Sequence, residues 1–224
     1  MGDRIFSRRD LLRASLVGAA AAATPALPVE GASPAVQSRP VPAPVQARER
    51  LETLSAAESD TLEAIVARLI PADENGPGAA EARAAHYIDV ALGGALASSR
   101  QAYSAGLAAV ETYAIRAKGA SFHTLSAGDQ DAVLTDMERN RATGFTPDSA
   151  TFFDMLRTHT IQGMFCDPHY GGNANFVGWD LIGYPGVRTV VTPDLQRMGL
   201  PFAPNHRSAY DYDMFTKASA KTSK

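Results

Sequence analysis

Residues 55–71 read Ser55-Ala56-Ala57-Glu58-Ser59-Asp60-Thr61-Leu62-Glu63-Ala64-Ile65-Val66-Ala67-Arg68-Leu69-Ile70-Pro71. Ser55 and Glu58 stand at the spacing of a capping box, in which the hydroxyl accepts from the amide three residues on and the carboxylate reaches back. Leu62, Ile65, Val66, Leu69 and Ile70 then fall at i, i+3, i+4, i+7 and i+8, one apolar stripe along a helix. Pro71 ends it. A helix with one apolar stripe needs other helices to cover that stripe, and the chain supplies them. After the turn chemistry of Asn75-Gly76-Pro77-Gly78, a second helix is predicted from Ala79 to Leu92, with Ala84, Tyr87, Ile88, Ala91 and Leu92 on one face and Gly93-Gly94 as the stop. A third is expected over Ser99–Lys118, where Tyr103, Leu107, Val110, Ala114 and Ala117 keep the period and Gly119 sits at the C′ position. Ser126 precedes a fourth, Ala127–Arg139, with Val133, Leu134 and Met137 inward. A fifth spans Ser149–Met164, with Phe152, Phe153, Leu156, Thr160 and Met164 facing the core. No stretch of five residues alternates strictly, and no long repeat is visible. The expected fold is all-α: a small helical bundle within residues 51–186, with long loops.

Composition narrows the function. The 224 residues include one cysteine, Cys166. An intramolecular disulfide, a Cys-x-x-Cys-His haem attachment, an iron–sulfur cluster and the common structural zinc sites each need at least two. A net charge of −3 does not provide the basic face of a general nucleic-acid binder. Aromatics are only 8% of the chain and many apolar positions are Ala, which favours helix over a β-sandwich.

The front of the chain is an address. Ser7-Arg8-Arg9-Asp10-Leu11-Leu12-Arg13 is a twin-arginine pattern, and the Ala-rich run from Ala14 to Ala26 follows it. That run is about 13 residues, against the roughly 20 a membrane-spanning helix needs. Charged start, apolar middle and small residues afterwards make residues 1–32 an export signal, expected to direct an already folded passenger to the periplasm. Residues 33–50 hold Pro34, Pro40, Pro42 and Pro44 and read as a semi-extended tether. At the other end, residues 187–224 lack apolar periodicity; Phe202, Tyr210, Tyr212, Met214 and Phe215 are single anchors in polar chain. Such an extended C-terminal arm must lie on the bundle or wrap a partner, because it cannot offset its own ordering cost.

Chemistry-bearing residues concentrate between His159 and Asp180. His159 and His169, with Asp154, Asp167 or Asp180, are candidate metal ligands, although no His-x-x-x-His spacing occurs. The alternative is structural histidines, with Asp167-Pro168 starting a turn and Gly171-Gly172 supplying positive-φ positions. No Gly-rich dinucleotide or phosphate-binding pattern is present, so the chain is expected to bind neither flavin nor nucleotide. Cys166 is open to three readings: a buried apolar side chain, a partner for another chain's cysteine, or a nucleophile beside a histidine. Trp179, Tyr170 and Tyr184 are either interface anchors or a plug over the bundle's end.

With these residues placed, the sequence resembles subunit 3, the small or gamma subunit, of gluconate 2-dehydrogenase and of related bacterial sugar dehydrogenases. The resemblance rests on the twin-arginine signal with Arg8 and Arg9, on Leu62 to Asp73 with the following Gly-Pro-Gly, on the helix from Phe152 to Phe165, and above all on Asp167-Pro168-His169-Tyr170-Gly171-Gly172-Asn173 followed by Gly178-Trp179. It implies a non-catalytic partner. A large subunit of the glucose–methanol–choline oxidoreductase type would bind FAD and oxidise a sugar or sugar acid. A multihaem cytochrome c subunit, where present, would take the electrons to the inner membrane. The small subunit would serve assembly and twin-arginine export of the catalytic one. Residues Asp167 to Asn173 and Trp179 are then candidates for the interface. A competing expectation is an independent periplasmic enzyme using residues 159–180, perhaps metal-assisted; another is a free-standing exported scaffold.

Overall fold

The computed structural model describes residues 51–199 and 202–216. The expected signal and tether lie outside the described residues. Among those described there are helices and turns and no strand: α1 (Ala56–Leu69), α2 (Ala84–Leu92), α3 (Arg100–Lys118), α4 (Ala127–Glu138), α5 (Ser149–Phe165), and two short helices, α6 (Val177–Leu181) and α7 (Asp213–Thr216). The fold is all-α. None of these helices is long and apolar enough to cross a membrane.

Helix α1 is the centre of the bundle and touches α2, α3, α4 and α5. Its start is the expected capping box: the Ser55 hydroxyl accepts from the Glu58 amide, and the Glu58 carboxylate accepts from the Ser55 amide at 2.9 Å. Its stripe puts Leu62, Ile65 and Val66 in the interior. Each fully buried side chain of this size stabilises by about 1.5–3 kcal/mol, so the stripe outweighs the cap, worth about 1 kcal/mol. Polar bonds then set the register of its neighbours. Arg68 makes a two-pronged contact with Asp131 of α4 at 2.8 and 2.9 Å. The buried Thr61 hydroxyl donates to Glu111 of α3 at 2.7 Å.

The bundle is closed by α5, which packs on α2 and α4. Small residues permit the crossings. A Cβ on Gly106 of α3 would lie 2.4 Å from the Phe152 ring of α5, and one on Gly163 of α5 would lie 2.9 Å from the Ala84 Cα of α2. Inside sit Tyr103, edge-on to Phe152, and His159, whose ring stacks on Tyr103 and shares a 2.9 Å hydrogen bond between Nδ1 and the Tyr103 hydroxyl. Asp89 of α2 is also buried, and its carboxylate accepts from the backbone amides of Glu52, Thr53 and Leu54 at 2.7, 3.0 and 2.7 Å.

Two expectations need correction. The second helix starts at Ala84, not Ala79. Residues 79–83 form turns instead, because Arg83 is left-handed (φ +58°) and the Ala82 carbonyl points away to accept from the Ala174 amide. In α3 the inward face ends at Ala114; Ala117 is exposed, since the last turn runs past the core. Gly119 ends that helix with φ +82°, as expected of a C′ glycine.

Burial lowers the His159 imidazole below its usual value near 6.5, and burial with the nearby Arg83 charge lowers His86 likewise. The fold thus disfavours protonation that the unfolded chain accepts. This contribution is full above about pH 6.5 and is lost as pH falls below it. Melting temperatures taken between about pH 7.5 and pH 5 should decline with acid. His159→Gln, which keeps an acceptor for Tyr103, should make the decline shallower; a curve parallel to wild type would show that His159 takes no part.

Candidate functional site

The site begins where α5 ends. The last carbonyls of a helix have no partner within it, and here they end against other chain. The segment from Cys166 to Asp180 turns back over them. The Asn173 amide donates to Gly163 O at 2.8 Å, its side-chain Nδ2 donates to Cys166 O at 2.8 Å, and the Trp179 indole donates to Phe165 O at 3.0 Å. Asn173 Oδ1 in turn accepts from the Gly178 amide at 2.8 Å, at the start of α6. Asn173 is wholly buried and left-handed (φ +45°), a conformation Asn tolerates better than most residues.

The approach is so close that glycine is required. A Cβ on Gly172 would stand 2.2 Å from Gly163 O, and one on Gly178 would stand 1.9 Å from Met164 O. Before them, Pro168–Tyr170 make one turn of 3₁₀ helix, begun by Asp167, whose Oδ1 accepts from the His169 amide at 3.0 Å. Gly171 ends that turn with φ +89°.

The arm is laid on this loop. Asp167 Oδ2 accepts from the Ala209 amide at 2.9 Å, the hydroxyls of Tyr170 and Tyr210 are 2.8 Å apart, and the Tyr210 ring stacks on His169 at 3.6 Å. His206 meets Asp180 at 2.9 Å and stacks on Phe176. Within the chain, residues 206–210 of the arm thus contact the loop at the bundle's end.

The eight motif residues therefore divide. Gly172, Asn173 and Trp179 are interior, and Trp179 packs edge-on to Tyr184 and beside Phe176 as a plug. His169 and Tyr170 stay exposed, while Asp167, Pro168 and Gly171 are half-buried. The structure does not gather the candidate ligands. His159 pairs with Tyr103, Asp154 with Arg157 at 2.9 Å, and Asp180 with His206. Among the described residues no three His, Cys, Asp or Glu side chains converge as a metal ion requires. A cleft of about 280 Å³ lies between loop and arm, lined by Asp167, Tyr170, Ala209, Tyr210 and Phe215. That is below the 300–1,000 Å³ usual for small-molecule sites. Sequence reasoning missed Asp89 and the partners that His206 and Tyr210 take. From the sequence Tyr210 reads only as an apolar anchor, and no spacing rule pairs it with a loop forty residues earlier.

Cys166 is half-buried, its Sγ 3.6 Å from Gly163 O, and burial pushes the thiol up to about 11. It is not the activated thiolate that nucleophilic chemistry needs.

Fold and site together define a class: an all-α bundle closed at one end by a self-bonded loop and a strap. Residues 56–186 match the family described as gluconate 2-dehydrogenase subunit 3, and the chain belongs to that family. It is thus a subunit of a gluconate 2-dehydrogenase-like complex. The match takes in the whole bundle and the loop and stops where the arm begins. No curated protein and no solved structure matches the chain.

Two outcomes follow. Asn173→Ala should destabilise by about 2–6 kcal/mol, because the Cys166 carbonyl and the Gly178 amide lose their partner at roughly 1–3 kcal/mol each; urea unfolding reads this directly. Alkylation of Cys166 at pH 8 should be roughly a hundredfold slower in the folded chain than in denaturant, since about one thiol in a thousand is ionised in the fold. Equal rates would place the sulfur in open solvent.

Proposed function

We propose that this chain is the non-catalytic small subunit of a membrane-associated, FAD-dependent sugar or sugar-acid dehydrogenase. It assembles with the catalytic subunit and carries it, folded, through twin-arginine export to the periplasm. The observation that carries this reading is the joint presence in one chain of the subunit-3 family match and of Ser7-Arg8-Arg9-Asp10-Leu11-Leu12-Arg13 ahead of it. The loop geometry supports it. Asp167 has both oxygens engaged, Asn173 its whole side-chain amide, and Trp179 its indole N–H, all on other parts of the same chain. Groups engaged in this way shape a surface; they are not poised to receive a substrate.

The redox groups belong to other subunits. With one cysteine this chain cannot attach haem c, and it offers no Gly-rich cradle for the FAD pyrophosphate. FAD is assigned to the catalytic subunit, of the glucose–methanol–choline oxidoreductase type, and haem c to a cytochrome subunit where the complex has one. The chain's share is to bind and orient the flavoprotein, whose cofactor carries the chemistry.

The test is export. Arg8→Lys combined with Arg9→Lys should leave both this chain and the flavoprotein in the cytoplasm, with periplasmic dye-linked dehydrogenase activity lost. Normal periplasmic activity in that double variant would end the export role.

A further inference from the structure

We propose that the catalytic subunit docks on the segment from Tyr170 to Phe215, chiefly on the arm that follows Gly186. This assignment rests on the subunit reading above and goes beyond it by naming the surface.

The first observation is where apolar surface lies. Of twelve large hydrophobic side chains exposed among the described residues, ten fall between Tyr170 and Phe215; the bundle helices show only Ile115 and Ile161. In the arm, Met198 is 99% exposed, Val190 71% and Met214 64%. Single exposed apolar residues are ordinary, but their concentration among the described residues from Tyr170 to Phe215 marks an interaction surface.

The second observation is how the arm is held. Several of its polar groups bond within its own chain. The Val187 amide donates to Arg207 O, the Asn205 amide to Pro185 O, and the Asn205 side chain to Val187 O, which also accepts from the Tyr212 hydroxyl. With Ala209 on Asp167 and Tyr210 on His169, the strap is pinned by polar and stacking contacts, while Val190, Val191, Met198 and Met214 stay more than half exposed.

Size and charge identify the occupant. The ten side chains, five aromatic and five aliphatic and between 37% and 99% exposed, together offer on the order of 1,000 Å², one side of an obligate interface of about 2,000 Å². From Ile182 to Thr216, three Arg balance three Asp, so the segment lacks the cationic face that an anionic lipid surface selects. A subunit of a dehydrogenase complex has another chain to meet, and the catalytic subunit is the partner this apolar, charge-balanced strap fits.

The full chain, tagged, is co-expressed with its FAD-binding catalytic subunit, and flavin retained per chain is measured after purification. Val190→Glu with Met198→Glu and Met214→Glu should lower retained flavoprotein by about tenfold or more. Ile115→Glu with Ile161→Glu on the bundle should leave it unchanged. Amide exchange of the wild-type complex should show new protection at 182–215. Should the triple variant fold poorly by its melting curve, that exchange map decides. The assignment is overturned if the triple variant retains the flavoprotein, if the bundle variant loses it instead, or if exchange at 182–215 is unaltered by binding. A wild-type dimer made monomeric by the triple variant, flavoprotein still bound, would give the strap to a second copy and overturn it too. Wild-type chain that retains no flavoprotein would sink the subunit reading itself, and the docking surface with it.

Discussion

Everything at the distal end of this molecule depends on the unfinished hydrogen bonding of one helix. When α5 stops at Phe165, its final carbonyls face other chain and must find donors there. Asn173 resolves the problem because its amide group gives and accepts at once. It donates to Cys166 O, accepts from the Gly178 amide, and offers its own backbone N–H to Gly163 O. That single residue fixes the distance between the end of α5 and the start of α6. The glycines at 172 and 178 follow from it, since no Cβ fits at the separation it imposes. Trp179 can then reach Phe165 O, and Phe176 and Tyr184 pack around the indole.

The loop so fixed becomes a platform. Asp167 is shared between levels, one oxygen starting its own turn and the other holding Ala209 of the arm. The hierarchy runs from buried carbonyls to a rigid loop, from the loop to a pinned strap, and from the strap to apolar side chains presented outward. The family match covers the bundle and the loop, residues 56–186, and the strap follows it.

The sequence made the bundle readable because periodicity and caps are local. Ser55 with Glu58, Ser126 and Gly119 all act within four residues of the helix ends they mark. What was not legible is what distant chain decides. The late start of α2 reflects the Ala82 carbonyl turning to Ala174, ninety-two positions on. Ala117 keeps the helical period, yet it is exposed because the buried face of α3 ends at Ala114. Asp167 to Asn173 stood out as a cluster, but composition alone could not separate a loop that captures a ligand from one that satisfies a helix end. Only the partners of each atom distinguish them. Asp89 is the clearest omission. On a helical wheel it is one polar residue beside Ile88, and its three amide partners lie thirty-five to thirty-seven residues earlier.

That carboxylate also decides how the chain enters the folded body. Three charge-assisted bonds, each worth about 1.5–3 kcal/mol, fasten residues 52–54 to the middle of α2. Where the chain enters the folded body it is therefore fastened to α2 before the first turn of α1 begins, and α2 in turn packs against α5. The entry is tied to helices other than the one it leads into.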